Sequence, residues 1–425
     1  MLGPRSAQCA GKPLTRPPRW ATIGQVIAPL FSPAYLHDPH PTLRALREQG
    51  PVHRSALPTG LPVWVVVDHA CARAVLGDER VAKDFRRLGE IMSGKLVEAG
   101  RDPRLSALFR DNLLVMDPPD HTRLRRLLAR DFTARRVERL RPRVEALTAE
   151  LLEALPTTTE VDLVERFALP LPMTVICELL GVPEDARPSM RRWSQELMGE
   201  SGQADALRAS EEMPAYLREL IADRRARPGD DLLSALTRAA DDGDRLTEAE
   251  LLGTCLVLVV AGHETTAGLI SSSADLLLRE DPVRRLLVQR PDLTRRAVDE
   301  LLRLTSPVAM TTARFTTEDV EVGGTVIPAN EIVLVSLPSG NRDAARFPDP
   351  DGFRLDRADG GNLAFGHGIH FCVGAPLARL EAEVALRGLL DRFPDFRRCG
   401  SPDDLVRRRS QTVTGWRSLP VVLNP

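Results

Sequence analysis

One long apolar segment places the strongest constraint on the fold of this chain. It begins at Thr247-x-x-Glu250, a capping box in which the threonine hydroxyl and the glutamate carboxylate satisfy unpaired N–H groups at a helix start. It ends at Asp281-Pro282, because the residue before a proline is disfavoured in a helix. The helix between them has about 33 residues and a length of roughly 48 Å, enough to cross a whole domain. Its first half is apolar on every face, which predicts a buried central helix with the rest of the chain packed around it.

Helical patterns dominate the rest of the chain, and the extended segments are short. From Asp120 onwards the pattern is mostly helical up to the central helix, with interruptions at prolines. Asp84–Asn112 has weak periodicity and is predicted to be a loop with short helical pieces, whereas Pro376–Arg392 is predicted to be a last long helix. The predicted extended segments are Val52–Ser55, Pro62–Val67, Asp319–Ile327 and Glu331–Ser336. The expected fold is therefore mainly α, with small β-sheets.

Charge and composition exclude several classes of protein. The 425 residues include 57 basic and 59 acidic ones, so the net-basic footprint of a nucleic-acid-binding protein is absent. No Gly/Ser linker divides the chain, and we expect residues 1–32 to be a partly irregular N-terminal extension and residues 33–425 to form one domain. Met1–Trp20 carries basic residues and prolines without the apolar core of a signal peptide. The longest apolar run, Leu251–Gly262, is shorter than the roughly 20 residues that cross a bilayer, so we expect a cytoplasmic protein that does not bind a membrane.

The central helix contains a break in its polarity, Ala261-Gly262-His263-Glu264-Thr265-Thr266. Charged and hydroxyl groups are costly in a buried helix unless they have partners. One interpretation is a kink in which Thr265 bonds the carbonyl of Ala261, four residues earlier. The other is that the small Ala261 and Gly262 open a groove for a ligand, beside an acid and an alcohol that deliver protons. The residues alone leave both interpretations open.

Cys372 differs from the other five cysteines because of its neighbours. No two cysteines form a CxxC pair, and none has zinc-type spacing. Glycines at 366, 368 and 374 permit positive φ and a close approach of the backbone to a bulky group. Pro376 suits the first turn of a helix, whose positive end favours a thiolate at Cys372. Such a thiolate suits an iron ligand. A buried structural cysteine and a nucleophile with His370 as its base are the alternatives.

These residues resemble three motifs of the cytochrome P450 family. FGHGIHFCVGAPLAR, which begins at Phe365, resembles the haem loop Phe-Gly-x-Gly-x-His/Arg-x-Cys-x-Gly at every position of the motif. AGHETT resembles the oxygen-activating helix, and Glu300-Leu301-Leu302-Arg303 resembles the Glu-x-x-Arg helix. The resemblance extends from about Pro33 to the C-terminus. It implies a single helix-rich cytochrome P450 fold with haem b between the long central helix and the helix of the cysteine loop.

The resemblance also implies roles for individual residues. Cys372 would be the axial thiolate ligand of the haem iron, where its electron donation favours O–O cleavage. Glu264 and Thr265 would form an acid–alcohol pair that relays protons to bound dioxygen. Phe365, Gly366 and Ala261 would lie beside the haem ring. Two anionic propionates need several cationic partners, and the matching positions are His121, Arg125, Arg314 and His370.

The implied activity is that of a monooxygenase that uses O2 and two electrons to hydroxylate or epoxidise a small molecule. The sequence shows no flavin, nicotinamide or iron–sulfur motif, so the expected electron donors are a ferredoxin and its reductase. The nearest resemblance is to actinobacterial members that tailor polyketides such as macrolides, which implies antibiotic biosynthesis and a bulky, largely apolar substrate. The positions that would contact this substrate are Leu258, Val308, Met310 and Val413. A docking face at Arg123, Arg126 and Arg130 competes with the interpretation that these arginines are simply solvated.

One position departs from the family pattern. The family usually places Arg or His in the proline-rich segment that follows the Glu-x-x-Arg helix, whereas the aligned residue here is Gly352. Arg354 or a water molecule is the expected substitute in the network with Glu300 and Arg303.

Three rival functions remain to be separated from this one. A peroxide-driven member of the fold would usually lack the Glu264-Thr265 pair. A haem-thiolate protein that binds a ligand without turnover would tolerate the loss of Thr265. A cysteine hydrolase would bind no haem at all.

Overall fold

The computed structural model describes residues 30–98, 112–130, 132–198, 202–241, 246–357, 361–408, 410 and 412–424. Most of the predicted N-terminal extension therefore lies outside the described residues. In chain order the α-helices are α1 (Pro33–His37), α2 (Pro39–Gln49), α3 (His69–Gly77), α4 (Phe85–Glu98), α5 (Asp120–Ala129), α6 (Ala134–Glu138), α7 (Arg141–Glu153), α8 (Pro170–Leu179), α9 (Arg187–Leu197), α10 (Gln203–Ala226), α11 (Leu232–Asp241), α12 (Glu248–Arg279), α13 (Asp281–Gln289), α14 (Thr294–Thr305), α15 (Leu337–Gly340) and α16 (Ala375–Arg392).

The strands are short and form three small sheets. They are β1 (Val52–Ala56), β2 (Pro62–Val66), β3 (Val81–Ala82), β4 (Glu160–Asp162), β5 (Arg314–Thr316), β6 (Val320–Val322), β7 (Thr325–Ile327), β8 (Ile332–Val335), β9 (Arg397–Arg398) and β10 (Pro420–Val422). The largest sheet has the order β1-β2-β8-β5-β3, with β2 and β8 parallel and the other pairs antiparallel. The order β4-β10-β9 describes the second sheet, and β6-β7 is a hairpin. The prediction of a mainly α fold with small β-sheets is confirmed.

The central helix α12 forms as predicted. Thr247 and Glu250 make both hydrogen bonds of the capping box, and the helix runs for 32 residues before it ends ahead of Asp281. By length and mean hydropathy α12 could cross a membrane, but 78% of its most apolar window is buried inside the protein. It packs against α8, α10, α14 and α16, and the largest cluster of buried side chains surrounds it. Its apolar surface is therefore satisfied as a core helix.

One prediction of local structure was wrong. Residues 85–98, taken as part of a loop, form the continuous helix α4. The apolar residues Leu88, Ile91, Met92 and Leu96 recur at helical spacing, and they pack against side chains of the largest sheet. The mixed charge of the segment hid this pattern. The remainder of the predicted loop lies mostly outside the described residues.

A C-terminal segment crosses α12 at Gly268. A Cβ atom at this position would overlap the carbonyl oxygen of Thr414, and a Cβ atom at Gly415 would lie 3.2 Å from Cα of Gly268. The Thr414 N–H donates to the carbonyl of Pro307 at 2.8 Å, and its hydroxyl donates to the Ser306 carbonyl at 2.8 Å. The missing side chain at Gly268 thus lets the segment around Val413 lie directly on the central helix.

The Glu-x-x-Arg motif is completed by a different arginine from the one expected. Glu300 accepts two hydrogen bonds from Arg303, at 2.7 and 2.8 Å, and a third from Nε of Arg357 at 2.9 Å. Arg354 contributes only its backbone N–H to Glu300, at 3.0 Å, because its side chain pairs with Asp356. The expectation that the Arg354 side chain completes the network was therefore wrong. Arg357 takes that place from five residues beyond Gly352.

Gly352 contributes to the same network through its backbone. Its carbonyl accepts a hydrogen bond from Arg303 at 3.0 Å and another from Arg357 at 3.2 Å. A Cβ atom at this position would overlap the carboxylate of Asp349. A side chain at position 352 would require the Asp349 carboxylate to move, and in this structure the network is closed from position 357.

Candidate active site

Ala261 in α12 and Cys372 just before α16 are both exposed, although α12 and α16 pack against each other. Ala261 is exposed although both flanking turns of α12 are buried. The Cys372 thiol is also exposed in the protein chain alone, yet burial is the main influence on its pKa and raises it. These observations agree if the exposed surfaces of both residues face an internal cavity rather than bulk solvent. The cavity thus lies between the central helix and the helix that follows the cysteine.

The backbone of the cysteine loop requires its glycines. Gly366 and Gly368 both have φ of +73°, a conformation that residues with a Cβ atom rarely adopt. A Cβ atom at Gly368 would also lie 2.5 Å from the carbonyl oxygen of Leu76 in α3. The Phe365 carbonyl accepts the Cys372 N–H at 2.9 Å, which closes the loop. The loop therefore holds the sulfur in a fixed place three residues before α16.

The electrostatic surroundings of Cys372 differ from the simple expectation. Burial raises the pKa of the thiol, and this outweighs the lowering by the N–H groups of Gly374 and Ala375 and by the positive charges of Arg125 and Arg379. The helix N-terminus therefore stabilises a thiolate without producing one in the protein alone. A coordinated metal ion deprotonates a thiol outright. The surroundings of Cys372 thus suit a thiol that loses its proton when its sulfur binds a metal ion.

The four residues predicted to contact anionic groups lie together at one side of this cavity. His121 in α5 and His370 in the cysteine loop have ring centroids 4.3 Å apart. Arg314 begins β5, and Arg125 lies one turn after His121 in α5. Nε2 of His121, Nε of Arg314 and Nε2 of His370 are buried and have no hydrogen-bond partner among the described residues. Several buried donors without acceptors are what an anionic ligand would satisfy.

The pKa values of this cluster reflect its burial. Burial lowers the pKa of His121 to about 4, with a further lowering by Arg125. Burial also lowers the pKa of His370 to about 4 and that of Arg314 to about 10. The carboxylate of Asp117 is 3.8 Å from Nε2 of His370, which is too long for a hydrogen bond. Both imidazoles are therefore neutral at pH 7 in the protein alone.

Glu264 and Thr265 are adjacent in α12 but have different surroundings. The Thr265 hydroxyl donates to the Ala261 carbonyl at 2.7 Å, the bond expected for a threonine in a helix. Glu264 is 1% exposed and forms a buried ion pair with Arg408 from the C-terminal segment. Nε2 of His263 is 2.9 Å from Oε1 of Glu264, but its angle does not make a hydrogen bond. Arg408 is therefore the dependable partner of this carboxylate.

Glu264 is ionised in this environment. Burial alone would raise the pKa of its carboxyl group, but His263 and Arg408 outweigh burial and lower that pKa to about 2. The acid of the predicted acid–alcohol pair therefore stores no proton at neutral pH. Any proton that it passes on must first arrive from elsewhere.

The predicted substrate contacts are only partly brought together. Val308 and Val413 are cross-strand neighbours in an isolated β-bridge, and Leu258 lies one turn before Ala261 on the same face of α12. Met310 pairs with Ser336 in a second bridge, and it is 2% exposed within a cluster of the largest sheet. Met310 is therefore a core residue in the protein chain alone, and it carries the weakest case for contact with a substrate.

Two charged residues of the site were not found from the sequence. Lys83 is buried beside Arg314, and Arg408 pairs with Glu264 from 144 residues away. Arg408 stands in a run of three arginines, so nothing local distinguishes it. Lys83 is one of three lysines in an arginine-rich chain, and it follows a short strand; this is the only signal that the sequence offered.

Two other surface features do not belong to the site. Arg123, a candidate for partner docking, forms ion pairs with Glu250 and Asp120, so it joins α5 to the start of α12. A surface cavity of about 370 Å³ lies between α7 and α16 and is lined by charged side chains of both signs. It contains none of the residues described above, so we do not associate it with the chemistry.

Comparison with known proteins identifies relatives over nearly the whole chain. A family model described as Cytochrome P450 matches residues 275–397. Cytochrome P450 107B1 of Saccharopolyspora erythraea is 47% identical over 391 residues, which cover 92% of this chain and 96% of the relative. The mycinamicin IV hydroxylase/epoxidase of Micromonospora griseorubida is 42% identical over 383 residues, which cover 89% and 94%. The solved structure of the tirandamycin C-bound P450 monooxygenase TamI is 41% identical, covers 92% of this chain and 99% of its own, and superposes with a TM-score of 0.85.

Proposed function

Because this chain belongs to the cytochrome P450 family and is a haem-thiolate monooxygenase, we propose that it hydroxylates or epoxidises a bulky, largely apolar polyketide in antibiotic biosynthesis. In this proposal it uses O2 and two electrons from a ferredoxin and its reductase. The observation that carries the proposal is the exposure of Ala261 and Cys372 on segments that meet in the core, together with a cluster of buried cationic and imidazole donors that have no hydrogen-bond partner among the described residues.

The residues around the cavity fit haem b. Cys372 would hold the iron through its sulfur, and Phe365, Gly366 and Ala261 would lie beside the ring. The two propionates would be bound by the buried, unpartnered donors of His121, Arg314 and His370 and by the half-buried guanidinium of Arg125. When bound, haem supplies the binding and activation of O2 for the insertion of one oxygen atom into the substrate.

Protons would reach the cavity through Thr265 and Glu264. The Thr265 hydroxyl donates a hydrogen bond to the Ala261 carbonyl. Its oxygen can therefore accept a hydrogen bond from a group in the cavity. Glu264 is an anion held by Arg408, so it would act as an acceptor that passes protons on from solvent. In this proposal Thr265 would position the last proton, and the carboxylate of Glu264 would keep the proton route from solvent polar.

The substrate class is inferred from the cavity residues and the relatives together. Leu258, Val308 and Val413 are apolar, and they would make contact with an apolar substrate through burial of surface rather than through hydrogen bonds. One similar protein is named as a mycinamicin IV hydroxylase/epoxidase, and the solved structure of another, TamI, has tirandamycin C bound. The resemblance to polyketide-tailoring members points the same way. Both hydroxylation and epoxidation are retained, since one relative is named for both reactions.

We also infer that residues 33–425 form one haem domain that works in the cytoplasm. The helix that could cross a membrane by length is a core helix here, which supports this location. No flavin or iron–sulfur motif is found in the sequence, which supports a separate electron donor.

The test is a carbon-monoxide difference spectrum of the reduced protein, followed by titration with macrolides and other polyketides. We expect the strongly red-shifted Soret band of thiolate ligation, and a low-spin to high-spin shift with the right substrate. Cys372→Ser should abolish the thiolate band. A colourless protein, or a band typical of histidine ligation, would contradict the proposal. Turnover with peroxide but not with a ferredoxin system would instead favour a peroxygenase.

A further inference from the structure

The cationic side of the cavity contains a buried lysine that the family motifs do not include. Lys83 is 2% exposed, and among the described residues its ammonium group makes no hydrogen bond or ion pair. A buried ammonium without a partner is costly. Such a group in a native fold needs a counterion that the protein chain alone does not provide.

The strand register places Lys83 opposite Arg314. β3 and β5 are antiparallel, with Val81 paired to Thr316 and Ala82 paired to Phe315. One further step in this register sets Lys83 against Arg314, and directly opposed residues on neighbouring strands project to the same face. Like charges in this arrangement repel each other and destabilise the sheet. Burial lowers the pKa of Lys83 well below its usual value, and Arg314 lowers it further.

The charges of the cluster are unbalanced in a specific way. When Lys83 is protonated, as it would be beside an anion, Arg125, Arg314 and Lys83 supply three positive charges, and Asp117 supplies one negative charge. Asp117 is fixed in place because its carboxylate accepts the N–H groups of Lys83 and Asp84, both at 2.7 Å. The imidazoles are left out of this count because they donate hydrogen bonds whether charged or not. The surplus of two positive charges would be balanced by the two negative charges of two carboxylates.

We propose that Lys83 is a fifth propionate-binding residue and that, together with Arg314, it holds one haem propionate between two buried cations. This inference rests on the proposed function, since it requires haem in the cavity. An anion between Lys83 and Arg314 removes their repulsion and satisfies the unpaired Nε of Arg314. Without Lys83 the cluster would carry one positive charge against two propionates.

The experiment compares haem retention in the purified holoenzyme and three variants. Lys83→Met removes the charge and keeps an unbranched apolar side chain, and Lys83→Arg restores a cation. Lys95→Met is the matched control, because Lys95 lies in α4 and pairs with Glu331, which is not part of the cluster. Haem transfer to excess apomyoglobin gives the rate of haem loss, and resonance Raman spectroscopy records the propionate-bending band.

We expect Lys83→Met to lose haem about 10-fold to 100-fold faster than the wild type, which is the range for the loss of one charged hydrogen bond. Its propionate band should shift, whereas Lys83→Arg should recover most of both properties and Lys95→Met should match the wild type. An unshifted band would overturn the inference even if haem loss were faster, because Lys83 would then act through packing. Unchanged haem loss with a normal carbon-monoxide spectrum would overturn this inference alone. A wild type without a thiolate spectrum would overturn the proposed function, and this inference with it.

Discussion

The ion pair between Glu264 and Arg408 gives the sharpest test of how this structure is held together. The Glu264 side chain is 2% exposed and that of Arg408 is 7% exposed, so solvent screens the pair very little. His263 and Arg408 together lower the pKa of Glu264 from 4.5 to about 2. At 1.36 kcal/mol for each pH unit their combined effect is on the order of 3 kcal/mol of stability at neutral pH, of which the ion pair with Arg408 contributes a part. Arg408→Met would leave the carboxylate buried without its counterion, at a cost of about 3–5 kcal/mol.

The assay is the free energy of unfolding of the holoenzyme, from urea titrations that follow both the Soret band and circular dichroism. We expect Arg408→Met to lose about 3–5 kcal/mol, and the double variant with Glu264→Gln to recover part of the loss, because the buried charge is then gone. Arg417→Met is the matched control, since Arg417 is an exposed arginine of the same segment and should change stability by no more than about 0.5 kcal/mol.

The pH dependence has a defined sign. The folded-state pKa of Glu264 is depressed, so its contribution is fully present above the unfolded value of 4.5 and is lost as the pH falls through about 2. The unfolded states of the wild type and Arg408→Met titrate alike, so the gap between them depends on the two folded states. It should narrow as the pH falls from the pKa of Glu264 in the variant, which the loss of Arg408 raises, towards the wild-type value of about 2. A loss of less than about 1 kcal/mol for Arg408→Met at pH 7, or a double variant as unstable as the single one, would refute the reasoning.

Three further outcomes are expected. Thr265→Ala should retain haem and the thiolate spectrum but waste reducing equivalents as peroxide, and full coupling of electrons to product would remove Thr265 from the proton route. Gly268→Ala should cost about 1–3 kcal/mol by overpacking against Thr414, and should weaken the spin shift with substrate; wild-type behaviour in both would show that the C-terminal segment does not lie on the helix there. Arg357→Met should lower the free energy of unfolding by about 1.5–3 kcal/mol because it removes a hydrogen bond to a buried carboxylate, whereas Arg354→Met should change it by less than about 0.5; equal effects would contradict the network seen in the structure.

The resemblance to known motifs identified the family, and the residues themselves gave the physical reason for this assignment. Three glycines, a cysteine and a helix start within ten residues predict a backbone that wraps closely around a group held by sulfur. The structure adds that the thiol is exposed only toward an interior space. It also corrects the electrostatics, because burial outweighs the helix N-terminus at Cys372.

The proline-rich segment that follows the Glu-x-x-Arg helix shows why a sequence alignment could not identify the third member of the Glu300 network. Arg354 and Arg357 are three residues apart, and both have an acceptor within reach. Arg354 pairs with Asp356, which is exposed. The side chain of Arg357 instead donates to four groups, namely the Glu300 carboxylate in α14 and the carbonyl groups of Pro348, Asp349 and Gly352. The choice depends on how the loop turns, which the arginine positions in the sequence do not specify.

The sequence by itself determined the features that depend on residues close together in the chain. The capping box fixed the start of α12, Asp281-Pro282 fixed its end, and glycines fixed the shape of the cysteine loop, because each signal acts through backbone groups a few residues away. Only the tertiary structure decided the charge states of the site. Glu264 is ionised because the adjacent His263 and Arg408, which reaches it from 144 residues away, outweigh its burial. Lys83 faces Arg314 because two short strands pair in one register. A buried charge is set by the sum of its neighbours in space, and those neighbours come from segments whose distance along the chain carries no signal.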